Sequence, residues 1–168
     1  TIVCDKTTAM AVVSAVTAAL FHRERTGEGQ HVEVPMFETM VGFLAAEHLQ
    51  GRIFEPPVGP AGYRRVLSRH RRPYRTLDGY LSVLPYLDEH WRAFCTTADR
   101  ADLVDDPRFA RLADRSAHID EVYAETARIV ATKTTGEWAR RLRQTTVPFT
   151  VVRSFDELAE DEHLRAAG

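Results

Sequence analysis

Between Lys6 and Arg25 the apolar residues Met10, Val13, Val16, Leu20 and Phe21 recur at intervals of three and four, which gathers them on one face of a helix. Asp5 stands where a capping residue belongs, and Arg23, Arg25 and Gly27 supply a basic last turn and a closing glycine. The period shortens to two over His31–Met36, with Val32, Val34 and Met36 on one side, and this predicts a strand. Helical spacing returns over residues 37–50, where Phe37, Met40, Val41, Leu44 and His48 form a stripe that stops at Gly51.

From Glu55 to Pro73 the periodicity disappears. Pro56, Pro57, Gly59, Pro60 and Gly62 predict a long loop. Alternation resumes in Pro73–Leu77 and Tyr80–Leu84, on either side of Asp78-Gly79, a tight-hairpin dipeptide. Asp88 is the expected cap of a helix that carries Trp91, Phe94 and Cys95. Further helices are predicted over residues 117–131 and 136–144, the second opened by capping-box spacing from Thr134 to Glu137. A strand over residues 147–152 and a second capping box, Ser154 to Glu157, complete a mixed α/β chain without internal repeats.

Composition agrees with a folded chain: of 168 residues, 44% are hydrophobic and 27% charged. No uninterrupted apolar run approaches the roughly 20 residues of a membrane span, and the first residues lack the features of a secretory leader, so a cytoplasmic protein without membrane contact is expected. Cys4 and Cys95 are far apart and are expected to be buried thiols, and no histidine has metal-ligand spacing, so no metal site is assigned.

Charge changes the picture more. The net charge is −2, yet Pro56–Leu77 holds Arg64, Arg65, Arg69, Arg71, Arg72 and Arg75 and no acid, a local +6 against −8 elsewhere. Guanidinium forks suit carboxylates and phosphates, which makes Arg64, Arg69, Arg71, Arg72 and Arg75 candidate substrate ligands. A solvated basic surface or a contact with an acidic subunit surface fits the same composition. Nucleic acid fits less well, because only Tyr63 and Tyr74 accompany the arginines as stacking groups. Thr26–Gln30 follows a helix instead of preceding one, and so is a turn and not a phosphate loop.

Four stretches, in this order, resemble the family III CoA-transferases, the group that includes formyl-CoA and carnitine-type transferases and alpha-methylacyl-CoA racemase. They are the Asp5 helix running into Ala18–Val32 with its Arg-Thr-Gly-x-Gly-Gln string, Pro73–Tyr80, Asp105–Phe109, and Trp138 with Val147-Pro148. The resemblance implies part of a large nucleotide-binding-like domain over residues 1–50, a linker over 51–73, an inserted small α+β domain over 74–130, and a return segment over 131–168. It implies a homodimer of interlocked chains for the full-length protein. It also implies no permanently bound cofactor, with a coenzyme A thioester as substrate and a carboxylic acid as its partner.

The transferases of this family attack the thioester with an aspartate to form an anhydride. The resemblance sets that nucleophile upstream of Thr1, in an N-terminal half outside this sequence, so that the stretch alone is expected not to turn over. In the racemase branch the aspartate heading this helix moves the alpha proton, and a helix N-terminus favours negative charge, which makes Asp5 a candidate acid/base; a plain cap is the simpler reading. Lys6-Thr7-Thr8 stands where racemases carry small glycine-rich residues, and this points towards a transferase. Asp88 matches the position of a supporting carboxylate, with a helix cap as its alternative. An arginine-rich binding module for anions or nucleic acid is the competing class, and a scaffold without catalysis a third.

Overall fold

The computed structural model describes residues 2–167. It forms two compact units, Thr1–Tyr63 and Arg64–Gly168, with mixed α/β composition.

In the first unit helix α1 spans Val3–Thr26, and Gly27, at φ 78°, closes it by donating its N–H to Arg23 O at 2.8 Å. The cap position is Ile2, so Asp5 is the third helical residue and not the cap expected from its type. Asp5 and Lys6 lie at one end and Arg23, Glu24 and Arg25 at the other, leaving the middle free of charge. By length and composition α1 can therefore cross a membrane, contrary to the expectation that no segment could. The strand expected over residues 31–36 does not form. Its alternation is present, but a strand needs a neighbouring strand for its N–H and C=O groups, and among the described residues none pairs with residues 29–34. Pro35 instead leads into α2, Met36–His48, and a 3₁₀ turn follows at Gln50–Ile53. The proline-rich loop folds back closely here: a Cβ on Gly51 would lie 2.5 Å from Gly59 N. His48 fixes the loop end, its carbonyl accepting from Gly62 N–H at 2.6 Å and its Nδ1 from Tyr63 N–H at 3.2 Å.

The second unit opens with a short helix, α3 (Arg64–Leu67), inside the stretch expected to be loop throughout. The hairpin is present as β1 (Tyr74–Arg75) and β2 (Tyr80–Val83), paired Tyr74 to Leu81 and Arg75 to Tyr80. Its tip falls one residue earlier than the Asp-Gly signal predicts, at Leu77-Asp78, because Thr76 N–H donates to Gly79 O at 2.9 Å and the Thr76 hydroxyl accepts from Gly79 N–H at 2.9 Å. Strand β3, Phe149–Val151, adds antiparallel to β2, giving the order β1-β2-β3.

Helices α4 (Asp88–Thr97), α5 (Leu112–Ala117), α6 (Ile119–Val130) and α7 (Thr135–Leu142) belong to this unit, followed by α8 (Phe155–Ala159) and α9 (Glu162–Ala167). Trp91, Phe94 and Cys95 on α4 are wholly buried, as their spacing predicts, and meet Trp138 and Leu142 of α7 and Val130 of α6 in one core with Leu81. Each buried indole keeps a partner, Trp91 Nε1 donating to Leu103 O at 3.2 Å and Trp138 Nε1 to Val130 O at 2.8 Å. Burial pushes the Cys95 thiol up to about 12. Cys4, expected to be buried as well, is exposed. Thr134 caps α7 as expected, accepting from Glu137 N–H at 3.2 Å, while the Glu137 carboxylate turns to Arg141 at 3.1 Å and leaves the box half made. The Ser154–Glu157 box is complete.

Candidate functional site

The candidate residues fall in both units, and their partners sort them. Asp5 is the sole aspartate of the first unit and lies exposed in the first turn of α1. Among the described residues no cation or hydrogen-bond donor engages its carboxylate. That separates it from the aspartates the second unit uses structurally.

Asp88 is such a case. It occupies the first helical position of α4, Leu87 taking the cap, and its Oδ1 accepts from Arg115 Nη2 at 2.6 Å. Arg115 is 3% exposed, and it also donates to Phe109 O at 2.8 Å and Tyr86 O at 3.1 Å. The Arg115 hydrogen bond holds the Asp88 carboxyl below the usual range. Asp78 is held low in the same way by Thr135, whose N–H and hydroxyl donate to Oδ1 at 2.7 and 2.8 Å. This carboxylate ties the hairpin tip to the start of α7.

Two grooves of the second unit contain arginines in opposite states. The larger, about 500 Å³, holds Arg100 and Arg108. Arg100 forks onto both oxygens of Asp102 at 2.8 Å and reaches Glu125 at 2.7 Å. Arg108 forks onto Asp106 at 3.0 and 2.7 Å and reaches Glu121 at 2.9 Å. Arg128 adds a pair with Glu125, so the carboxylates absorb the positive charge. Their arginine partners lower the pKa of Asp102 and Asp106.

The smaller groove, about 270 Å³, is bounded by Arg71, Arg72, Tyr74, Ser82, Leu84 and Tyr123, among others, and no carboxylate lines it. Arg71 Nη1 donates to the Tyr123 hydroxyl at 3.2 Å, and Arg72 has no partner among the described residues. Just inside, Arg65 is 9% exposed and lies over the Tyr86 ring at 4.3 Å, with no acid against it. Burial raises the Tyr74 hydroxyl, and Arg71 and Arg65 oppose that rise. Of the other arginines named from sequence, Arg69 donates Nε–H to His70 Nε2 at 3.1 Å in the larger groove, while Arg64 and Arg75 are exposed and line neither. The buried guanidiniums of Arg65 and Arg115, and Tyr123, were missed by sequence reasoning. Tyr123 falls on the apolar stripe of α6 and reads there as core. No group of three or more potential metal ligands occurs among the described residues.

The second unit thus sets helices around a three-stranded antiparallel sheet and keeps Arg71 and Arg72 in a groove that no carboxylate lines. The chain belongs to CoA-transferase family III, whose model matches residues 1–168. It is 34% identical over 149 residues to the probable fatty acyl-CoA transferase Rv3272 of Mycobacterium tuberculosis, a match covering 83% of this chain and 38% of that protein. It is 30% identical over 175 residues to the succinate–glutarate CoA-transferase of Agrobacterium fabrum, covering 99% of this chain and 42% of the relative. A crystal structure of a Rv3272 mutant with one aspartate replaced by alanine superposes with TM-score 0.75 at 27% identity, covering 98% of this chain and 42% of that one. The chain thus spans about two-fifths of the length of these relatives.

Proposed function

We propose that the protein containing this chain moves coenzyme A between an acyl-CoA thioester and a free carboxylic acid, and that Asp5 is the carboxylate that carries the acyl group. The observation behind the second part is the place of Asp5, an exposed aspartate in the first turn of the 24-residue helix α1, where the helix N-terminus stabilises negative charge and no side chain among the described residues occupies its oxygens. A nucleophilic carboxylate needs open lone pairs, and Asp5 has them, whereas Asp78, Asp88, Asp102 and Asp106 spend theirs on hydrogen bonds. This reading puts the nucleophile inside the chain, in place of the upstream position the family resemblance implies.

In the proposed sequence an Asp5 oxygen attacks the thioester carbonyl carbon, the C–S bond breaks and coenzyme A leaves as thiolate. The thiolate returns to the Asp5 carbonyl of the anhydride, releasing the donor acid and leaving an aspartyl thioester. The acceptor carboxylate attacks that thioester and expels the thiolate, which then takes the acceptor acyl group and frees Asp5. Matches to a fatty acyl-CoA transferase and to a succinate–glutarate transferase support acyl-CoA and carboxylate substrates. The full-length protein is read as a homodimer, in keeping with the exposed apolar side chains of α1 and α2.

The test is coenzyme A exchange between an acyl-CoA and free acids by the full-length protein. Asp5→Asn is expected to lower the rate by about 10³-fold or more, with fold and substrate binding retained. Exchange at the wild-type rate in Asp5→Asn overturns the assignment, and incorporation of solvent deuterium at the alpha carbon without exchange points to the racemase chemistry.

A further inference from the structure

We propose that the groove between Arg71, Arg72 and Tyr123 is an oxyanion site that receives the charged end of a substrate. The proposal rests on the reading of the protein as a CoA-transferase for the identity of its ligand, but its geometry belongs to the second unit alone. Arginines exposed to water are commonly just solvated, and three observations distinguish these.

First, the same unit shows what happens when its arginines are structural. Arg100 and Arg108 each fork onto a neighbouring aspartate and bridge to a glutamate. Nothing comparable surrounds Arg71 and Arg72, and no acid occurs in the sequence from Pro56 to Leu77. Second, Arg71 is held in place. The Tyr123 hydroxyl, on the rigid helix α6, accepts one of its N–H groups at 3.2 Å and leaves the others for a ligand. Third, Arg65 lies behind this wall, nine-tenths buried, with the Tyr86 ring as its only partner among the described residues. A buried guanidinium without a carboxylate keeps the region electropositive where water screens it least.

The ligand is an oxyanion, because paired guanidiniums match two oxygens of a carboxylate or phosphate. A volume of about 270 Å³ suits a terminal group and a few carbons, not a whole coenzyme A. The distal carboxylate of a small dicarboxylic acid and a phosphate of coenzyme A are the two sources, and the experiment separates them.

The 168-residue chain is titrated at low salt with succinate, inorganic pyrophosphate and coenzyme A, and binding is followed by calorimetry or amide chemical shifts. The variants are Arg71→Ala/Arg72→Ala, Tyr123→Phe and, as a charge control, Arg140→Ala, which removes an exposed arginine of α7 that lines neither groove. Saturable binding is expected, at least tenfold weaker in the double variant, two- to fivefold weaker in Tyr123→Phe, and unchanged in Arg140→Ala. Succinate alone identifies a carboxylate site, and pyrophosphate with coenzyme A a phosphate site. No binding by any of the three, or equal weakening in Arg140→Ala, overturns the proposal. Since binding needs no turnover, Asp5→Asn is expected to bind as the wild type does, so a failure of the Asp5 assignment leaves this result intact.

Discussion

The two units treat their apolar residues in opposite ways. In the second, Leu81, Trp91, Phe94, Val130, Trp138 and Leu142 are removed from water entirely. In the first, Thr8 is the one buried residue among those described, while Met10, Val13, Phe21 and Phe37 are each more than 60% exposed. Helices α4, α6 and α7 of the second unit concentrate their apolar residues on one face, whereas those of α1 spread around the whole helix, so the spacing expected for α1 from Met10 to Phe21 does not mark a single buried face. The second unit carries its own core and the structural ion pairs. The first carries Asp5, its sole aspartate, exposed at the start of α1.

The largest expected consequence concerns autonomous folding. Residues 64–168 expressed alone should melt cooperatively by circular dichroism, since their core is internal, whereas residues 1–63 alone should show no cooperative transition. A sharp melt of the shorter piece would break the contrast. Within the whole chain, Trp138→Ala should cost about 4 kcal/mol in urea unfolding, because it empties a site at the centre of the core. Phe37→Ala, on an exposed side chain of the first unit, should cost less than about 0.5 kcal/mol.

Arg115→Ala should cost about 3 kcal/mol, as the carbonyls of Phe109 and Tyr86 lose a buried donor. Arg115→Lys should recover little, for an ammonium cannot reach three acceptors with the geometry of a planar fork. Recovery of wild-type stability by lysine would show the fork to be unnecessary.

The smallest effect is acid sensitivity. Hydrogen bonds lower the native pKa of Asp78, Asp88, Asp102 and Asp106 below their unfolded value of 3.8. The stability these groups contribute is therefore fully present above that value and is lost as the pH falls through the lowered native range. Melting temperature should hold steady from neutral pH to about 5 and decline below about 4, and Asp78→Asn should blunt the decline. An unchanged melting temperature at pH 3 would contradict the assignment.

Much of the second unit was legible. The hairpin dipeptide, the α4 spacing and the Ser154 box each correspond to observed elements, because local chemistry decides them. Where residues compete for partners, the sequence says less. Asp5 and Asp88 carry a capping residue's identity, yet each lies inside its helix, Asp88 because a buried arginine twenty-seven positions away claims its carboxylate. Val32 and Val34 alternate as a strand does, but no strand among the described residues pairs with them. The arginine cluster was visible as charge alone; which of its members are free depends on α6, whose Tyr123 reads as core until the fold sets it beside Arg71.

The central claim is that the acyl group passes through Asp5. Mixing the full-length protein with an acyl-CoA, trapping with hydroxylamine and mapping the peptides by mass spectrometry tests it most directly. A hydroxamate on Asp5, absent without the thioester, is the predicted result; a hydroxamate on a carboxylate outside this chain, with Asp5 unmodified, would contradict it.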